Sequence, residues 1–280
     1  MSTADNRRER ARQIIAHNPE WYHSIELAPG IVTPGRAPLD VWNKTLQSLD
    51  LPDLRGKSVL DVGAYDGFFS FAAEQLGAAR VVALDEHVWA TDMTAYLKDW
   101  REAKETGTII PAPRDSRHWR PEEMPGRRPF DAARDLLSST VEPVVGNFMT
   151  MDLRSLGRFD VVLFLGILYH MEEPLAAVRR VASLVKPGGL LAIETEAVEI
   201  PSAPDGAFFE FFPGNELNDD VANWWAPNGK ALEGLVTAAG LVNFEWLKGP
   251  PRVSELRRLQ SRLGRRAVRY RAICRARSPR

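Results

Sequence analysis

Residues 58 to 85 constrain the fold most. Ser58–Val62 is a short apolar run that meets Gly63 at once. Phe68–Leu76 has the spacing of a helix that Gly77 can stop, and Arg80–Leu84 is a second apolar run closed by Asp85. A buried strand, a glycine turn, a helix and a second buried strand make one βαβ unit, and such units build parallel sheets covered by helices. The alternation continues: Val141–Val145 reads as a weak strand and Asp160–Leu165 as a strong one. Pro174–Val185 reads as a helix stopped at Pro187-Gly188-Gly189, and Leu190–Thr195 as another buried strand. Asn228–Ala239 is predicted as a helix closed by Gly240, followed by strands at Leu241–Lys248 and Arg266–Ala276. The class this predicts is α/β with a mostly parallel sheet.

Two stretches interrupt the pattern, about 87–140 and 201–227, and both are read as insertions; the first is punctuated by Pro111, Pro113, Pro121, Pro125 and Pro129 and has room for a helix or two. Residues 1–50 precede the regular part. They are read as a helix over Asn6–Ala16, a loop from Trp21 to Gly35 with turns at Pro29-Gly30 and Pro34-Gly35, and a helix that Asp40 can cap, running through Leu49. The expected division is therefore an N-terminal helix and lid segment, 1–50, and one domain, 51–280. Met1–Arg12 is polar and lacks the apolar core of a secretory leader, and no apolar run is long enough to span a bilayer, so no membrane is expected as partner. The single cysteine, Cys274, excludes an intrachain disulfide and suits a cytoplasmic protein.

The net charge of −1 hides an asymmetry. Arg252–Arg280 holds eleven arginines and one acid, Glu255, so that tail carries +10 and the remainder −11. The tail alternates: Val268, Tyr270, Ala272, Cys274 and Ala276 fall on one strand face, with Arg269, Arg271, Arg275 and Arg277 on the other. The expectation is that much of the basic tail is the solvated face of a strand.

The chemistry is expected at the turn Asp61-Val62-Gly63-Ala64-Tyr65-Asp66-Gly67. A glycine straight after a buried strand lets a ligand approach the backbone, and the next helix points its N-terminus there. Asp85 ends the following strand, 22 residues beyond Gly63, where an acid can accept hydrogen bonds from both hydroxyls of a ribose. A dinucleotide site would offer bare N–H groups to a pyrophosphate. Here Asp61 and Asp66 would repel one, and they suit a ligand that carries a sulfonium and an ammonium. S-adenosylmethionine (AdoMet) has both.

These segments resemble a known family. Val59–Gly63 through Leu84-Asp85 is similar to the first two motifs of class I AdoMet-dependent methyltransferases, and Phe159–Val162 through His170, then Leu184–Gly189, to their later motifs. Phe164-Leu165-Gly166-Ile167-Leu168-Tyr169-His170, with Gly67–Phe71 and Glu194-Thr195, resembles the branch containing tRNA wobble-uridine (carboxymethoxyuridine) methyltransferases and related bacterial small-molecule and sugar O-methyltransferases. The resemblance implies a Rossmann-like seven-stranded sheet, mostly parallel, with helices on both faces and an antiparallel last strand. It also implies that Gly63 and its neighbours, Gly67 included, hold the methionine part of AdoMet and Asp85 the ribose. Asn147 and Phe148 would flank the adenine, and Gly166 would lie near the sulfonium. The tRNA enzymes of this branch use a carboxylated AdoMet and carry a Lys-Gly-Pro-Phe-like segment before the domain. Here Trp21–Leu27 has no lysine, so ordinary AdoMet is expected, although Tyr169 matches the branch.

His170 follows the fourth main strand and is a candidate general base for an alcohol acceptor; His23, on the N-terminal loop, is a second. Trp21, Tyr22, Trp224 and Trp225 offer aromatic faces to a sugar or planar ring, and Asn215, Asn218, Asn223 and Asn228 offer neutral hydrogen-bonding groups. Glu194 is expected near the substrate. Glu194, Glu196, Glu216, Asp219 and Asp220 also make a set that Mg²⁺ shared with a substrate diol would use. The expected reaction is methyl transfer to a hydroxyl of a small molecule, best a sugar or glycan. The alternatives are a tRNA-modifying enzyme with the basic tail on phosphates, and an AdoMet-binding protein without catalysis. The first insertion, with Trp89, Trp100 and Trp119, is read as a cap or as a subunit contact in a homo-oligomer.

Overall fold

The computed structural model describes residues 3–203, 205–252, 254–255 and 267–280. The chain divides into two compact units, Met1–Gln47 with Leu51–Asn147, and Ser48–Asp50 with Phe148–Arg280. Of the N-terminal segment 1–50 that the sequence sets apart, residues 1–47 fall within the first unit and 48–50 within the second.

The first unit opens with α1 (Thr3–His17), a hairpin of β1 (Glu26–Ala28) and β2 (Ile31–Val32), and α2 (Leu39–Ser48). Pro29-Gly30 is the hairpin turn, so the expected loop contains two short strands. Asp40 lies inside α2 rather than before it, and its carboxylate takes Lys44 Nζ at 2.9 Å, the i,i+4 pairing, instead of capping. The βαβ unit follows at the residues the sequence indicates: β3 (Ser58–Val62), α3 (Phe68–Gln75) and β4 (Arg80–Asp85), with β3 and β4 parallel from Ser58↔Arg80 to Val62↔Leu84. The first insertion holds α4 (Met93–Thr106), which Asp92 caps by accepting from Ala95 N–H at 3.1 Å, and α5 (Arg128–Leu137). Then β5 (Glu142–Val145) pairs parallel with β4. Val145 is 38% exposed, and Pro143 removes a ladder donor, which is why this strand is faint in the sequence.

The second unit contains β6 (Phe159–Leu165), α6 (Pro174–Ser183), β7 (Val185–Glu199), β8 (Phe209–Phe211), β9 (Trp225–Pro227), α7 (Gly229–Ala238), β10 (Val242–Lys248) and β11 (Val268–Arg277). β6 and β7 are parallel, β11 runs antiparallel to β7, and β10 antiparallel to β11. β8 and β9 form a separate hairpin from the second insertion. The seven strands β3 to β7, β10 and β11 make the expected Rossmann-like sheet, mostly parallel with an antiparallel last strand.

One strand differs in length from its expectation. β7 runs 15 residues, far beyond the Leu190–Thr195 that the apolar run predicts. Lys186–Gly189 is taken in as a register shift, Phe159↔Val185 giving way to Val161↔Leu190. At the other end β11 pairs residue by residue as far as Val268↔Glu199. The extra length belongs to the partner strand, which local periodicity does not see. Position 266, the expected start of β11, lies outside the described residues, as do Arg257, Arg258, Arg262 and Arg265 of the basic tail. Among the described residues no helix is long and apolar enough to cross a membrane.

Candidate functional site

In the first unit the site is built where β3 meets α3. Gly63 has φ +76° and its N–H donates to Leu84 O at 2.8 Å, which ties the turn to β4. Asp85 is 5% exposed, and its two oxygens take different backbone donors: Tyr65 N–H at 3.0 Å and Val88 N–H at 3.0 Å. Trp89 N–H adds a third backbone contact, and the four acceptor sites of a carboxylate still leave room for a ribose hydroxyl. Burial pushes the Asp85 carboxyl up to about 6, against these hydrogen bonds.

Tyr65 has a role that its place in the sequence does not announce. It is a non-glycine at φ +53°, a left-handed conformation that costs free energy unless its surroundings impose it. They do: its N–H is held by Asp85, its carbonyl accepts from Trp89 Nε1 at 2.7 Å, and its ring lies 4.9 Å from that of Tyr22. Trp89, the fully buried first tryptophan of the insertion, is thus part of the support of the turn. Gly67 has a packing reason as well as a conformational one. It sits at φ +90°, and a Cβ there would meet the Phe71 and Phe130 rings at 2.6–2.7 Å.

The two loop acids separate in role. Asp66, expected to face the ligand, is 1% exposed and turned to the N-terminal segment. Its Oδ2 accepts Tyr22 N–H and His23 N–H, each at 2.8 Å, and its Oδ1 is bonded to His23 Nδ1. The His23 ring is stacked 5.6 Å from Phe68 and lies edge-on to Trp42 at 4.4 Å. His23, a second candidate base in the sequence, is thus a buried anchor of the segment with its Nδ1 engaged by Asp66. Asp61, 3% exposed, has Ser70 Oγ as its one close side-chain donor among the described residues, at 2.6 Å. Burial raises its carboxyl to about 6, and it is the acid suited to an ammonium.

This gives a pH prediction. Well below pH 3.8, Asp61 is protonated in the folded and the unfolded chain alike. As the pH rises toward 6 the unfolded chain ionises first, so stability falls, by about 3 kcal/mol when the transition is complete. Asp61→Asn is expected to be more stable than the parent at pH 8 and no more stable at pH 3.5, with weaker AdoMet binding throughout. Urea unfolding at the two pH values with calorimetric titration of AdoMet checks this.

In the second unit β6 ends at Gly166. A Cβ there would lie 3.4 Å from Tyr169 Oη, 3.8 Å from Glu194 Oε2 and 3.9 Å from Arg271 Nη2, so a charged cluster surrounds the end of this strand. Tyr169, 5% exposed, packs with Val198, Phe212, Leu217 and Ala226. The Arg271 guanidinium lies 5.2 Å above its ring. Arg271 bonds both oxygens of Glu194, Nη2 to Oε2 at 2.9 Å, and reaches Glu196 Oε1 at 3.0 Å. Burial raises the Glu194 carboxyl, and Arg271 opposes that rise. Arg271 thus departs from the solvated face expected for it. Arg275 also pairs, with Glu245 at 2.6 Å and Asp50 at 2.9 Å. The alternation of the strand is legible in the sequence; the acids waiting on β7 and β10 are not.

His170 donates from Nδ1 to Ala222 O at 2.8 Å, which leaves Nε2 as the ring's acceptor. Withdrawal from water lowers its pKa below the usual 6.5, although Asp220 opposes this. It stays neutral at pH 7.

The other expected residues fall as follows. Asn147 lies two residues past the end of β5. Phe148 is 8% exposed, packed edge-on to Phe164 at 5.6 Å, with its carbonyl bonded by Arg180 Nε at 2.5 Å; it is core rather than a free face for adenine. Trp21 is buried, at 4% exposure. Trp224 is pinned by Nε1 to Val221 O at 2.8 Å, and Trp225 packs 4.8 Å from Phe211. Asn228, assigned to substrate from sequence, caps α7: its Oδ1 accepts from Ala231 N–H at 3.0 Å and Phe208 N–H at 3.1 Å, and Nδ2 donates to Gly206 O at 2.7 Å. The carboxylates offered for Mg²⁺ do not assemble. Glu194 and Glu196 face Arg271, Glu216 takes Gly214 N–H and Asp220 takes Ala222 N–H. Among the described residues no three His, Cys, Asp or Glu side chains stand together as a metal site.

Comparison with known proteins gives the family and the fold. Residues 38–245 match the family model described as a methyltransferase domain. The tRNA U34 carboxymethyltransferase of Desulfotalea psychrophila is 24% identical over 195 residues, 70% of this chain and 48% of that protein. That of Idiomarina loihiensis is 27% identical over 196 residues, 68% of this chain and 46% of that protein. The chain spans about half the length of these relatives. Among solved structures, the N-terminal domain of EvdMO1, determined in the presence of SAH and D-fucose, superposes with a TM-score of 0.58 at 18% identity, covering 99% of this chain and 98% of that one. Phosphoethanolamine N-methyltransferase 2 of Haemonchus contortus gives 0.56 at 13% identity, covering 88% and 56%. The glycine turn, the acid that closes β4 and the family match over most of the chain place this protein in the methyltransferase-domain family, as a class I AdoMet-dependent methyltransferase of the branch that includes the tRNA U34 carboxymethyltransferases.

Proposed function

We propose that the protein transfers a methyl group from ordinary AdoMet to a hydroxyl of a small, sugar-like molecule. The observation that carries this reading is His170. Its Nδ1–H is held by Ala222 O, so Nε2 is a fixed, neutral proton acceptor. AdoMet, when bound, supplies an electrophilic methyl group on its sulfonium. The chain supplies the rest. Asp85 accepts the ribose hydroxyls, Asp61 faces the ammonium, and the backbone at Gly63 admits the methionine portion. His170 Nε2 takes the hydroxyl proton as the new C–O bond forms and the S–C bond breaks, and S-adenosylhomocysteine leaves with the sulfur electron pair.

Ordinary AdoMet is favoured by charge. Arg271 is already bonded to both Glu194 and Glu196, so it is not free to hold a further carboxylate. The EvdMO1 domain, whose structure was determined in the presence of D-fucose, is consistent with a sugar acceptor. A second reading, carboxymethyl transfer to a tRNA wobble uridine, is favoured by the names of the curated relatives. Incubation with methyl-labelled AdoMet and, separately, with carboxylated AdoMet decides between them, against sugars, small alcohols and total tRNA. Label is expected on a sugar hydroxyl. Label in tRNA, falling steeply with salt, would instead establish the second reading.

A further inference from the structure

The segment that holds His170 contains a buried polar atom with nothing to bond. Ala222 O accepts from the His170 ring, and Trp224 N–H donates to Tyr169 O at 2.8 Å, so residues 222 and 224 clasp residues 169 and 170. Between them Asn223 is 3% exposed. Its Nδ2 donates to Leu217 O at 2.8 Å, which fixes the amide, and its Oδ1 has no partner among the described residues. The Glu210 Oε2 atom is likewise buried without a partner among them. Glu210 stands opposite Ala226 across the β8–β9 hairpin, and Ala226 is packed against Tyr169. Opposed residues of an antiparallel pair share a face, so Glu210 is on the side of the hairpin turned to Tyr169. Phe209, Phe211 and Trp225 occupy the other side, packed on one another.

Buried acceptors are nearly always satisfied, and both unsatisfied ones flank the Tyr169–His170 pair. Both lack a donor among the described residues, and His170 Nε2, the neutral ring's acceptor, would take a third. A ligand that completes such a set brings several O–H donors. A phosphodiester brings only acceptors and charge, and a carboxylate would repel it. We infer that Asn223 Oδ1 and Glu210 Oε2 are specificity-determining acceptors for a neutral polyol, binding hydroxyls that neighbour the one presented to His170. The inference rests on the reading of His170 as the base that receives an acceptor hydroxyl.

The test uses the full chain loaded with S-adenosylhomocysteine, titrated calorimetrically with D-fucose and the methyl glycosides of D-glucose, D-galactose and D-mannose. At least one sugar is expected to bind. Glu210→Gln, which keeps size and shape, and Asn223→Leu are each expected to weaken it about tenfold and to raise its KM, with S-adenosylhomocysteine affinity unchanged. In the parent, a deoxy sugar lacking the recognised hydroxyl loses the same factor, and in the variant it loses nothing more. Sugar binding unaltered by Glu210→Gln, or a parent that binds none of these sugars, overturns the inference. A simple monohydric alcohol methylated as well as any sugar also overturns it while leaving His170 as base. Methyl transfer to no hydroxyl at all removes the reading beneath it.

Discussion

Replacement of His170 by alanine is expected to lower turnover by roughly 10²–10⁴-fold, the span associated with a positioned general base. AdoMet affinity should stay within a factor of about two, since the turn at Gly63 and the carboxylates of Asp61 and Asp85 are untouched. The loss of the ring also frees Ala222 O, so a smaller side chain could loosen residues 222–224. His170→Gln separates the two effects, because its amide can donate to Ala222 O but cannot take a proton. Turnover as low as in His170→Ala, with unchanged thermal stability, identifies proton acceptance as the missing function. The pH profile adds an independent sign. Desolvation lowers the histidine pKa, so the acid limb of kcat should fall below pH 6.5, and both variants should lose that limb. Full activity of His170→Gln would exclude this residue as base.

The second large effect concerns stability. Arg271→Met removes the cation between Glu194 and Glu196, side chains that are 9% and 11% exposed. Breaking a buried ion pair by deleting one partner typically costs about 3–5 kcal/mol, and a value near the low end is expected because the arginine itself is one-third exposed. The cost arises from stranded carboxylates, so it should be largely recovered when Glu194→Gln and Glu196→Gln are added to Arg271→Met. A triple variant as unstable as the single one would mean that the stack of Arg271 over Tyr169, rather than the charge, carries the stability. Urea unfolding of the parent, the single, the double glutamine and the triple variants measures each contribution. The same series bears on cofactor choice, since neutralising both glutamates while keeping Arg271 should favour a carboxylated AdoMet relative to the parent.

Much of the scaffold can be read from the chain, and the reason is range. Ser58–Val62, Gly63, Phe68 and Asp85 are set by apolar runs, a turn residue and a helix stop within 28 contiguous residues, and the strands and helix form there almost at the expected boundaries. The alternation of Val268 to Arg277 likewise announces a strand. The acid at position 85 is placed by the same local logic, because the end of β4 is a fixed distance from the turn at the end of β3.

What the sequence determined, then, is the frame: the βαβ unit, the glycine turn and the residues it presents. Only the tertiary structure decided the partners. Asp66 looks like a second acid for the cofactor, and it bonds a histidine 43 residues earlier. Arg271 looks solvated, and it bonds a glutamate 77 residues earlier because β11 lies antiparallel beside β7 in one register. Asn228 reads as a substrate contact, and it closes the first turn of a helix. Local periodicity says which way a side chain points from its own backbone. Whether water, a ligand or an opposite charge is waiting there depends on strand order, register and loop return, which no short window of residues contains.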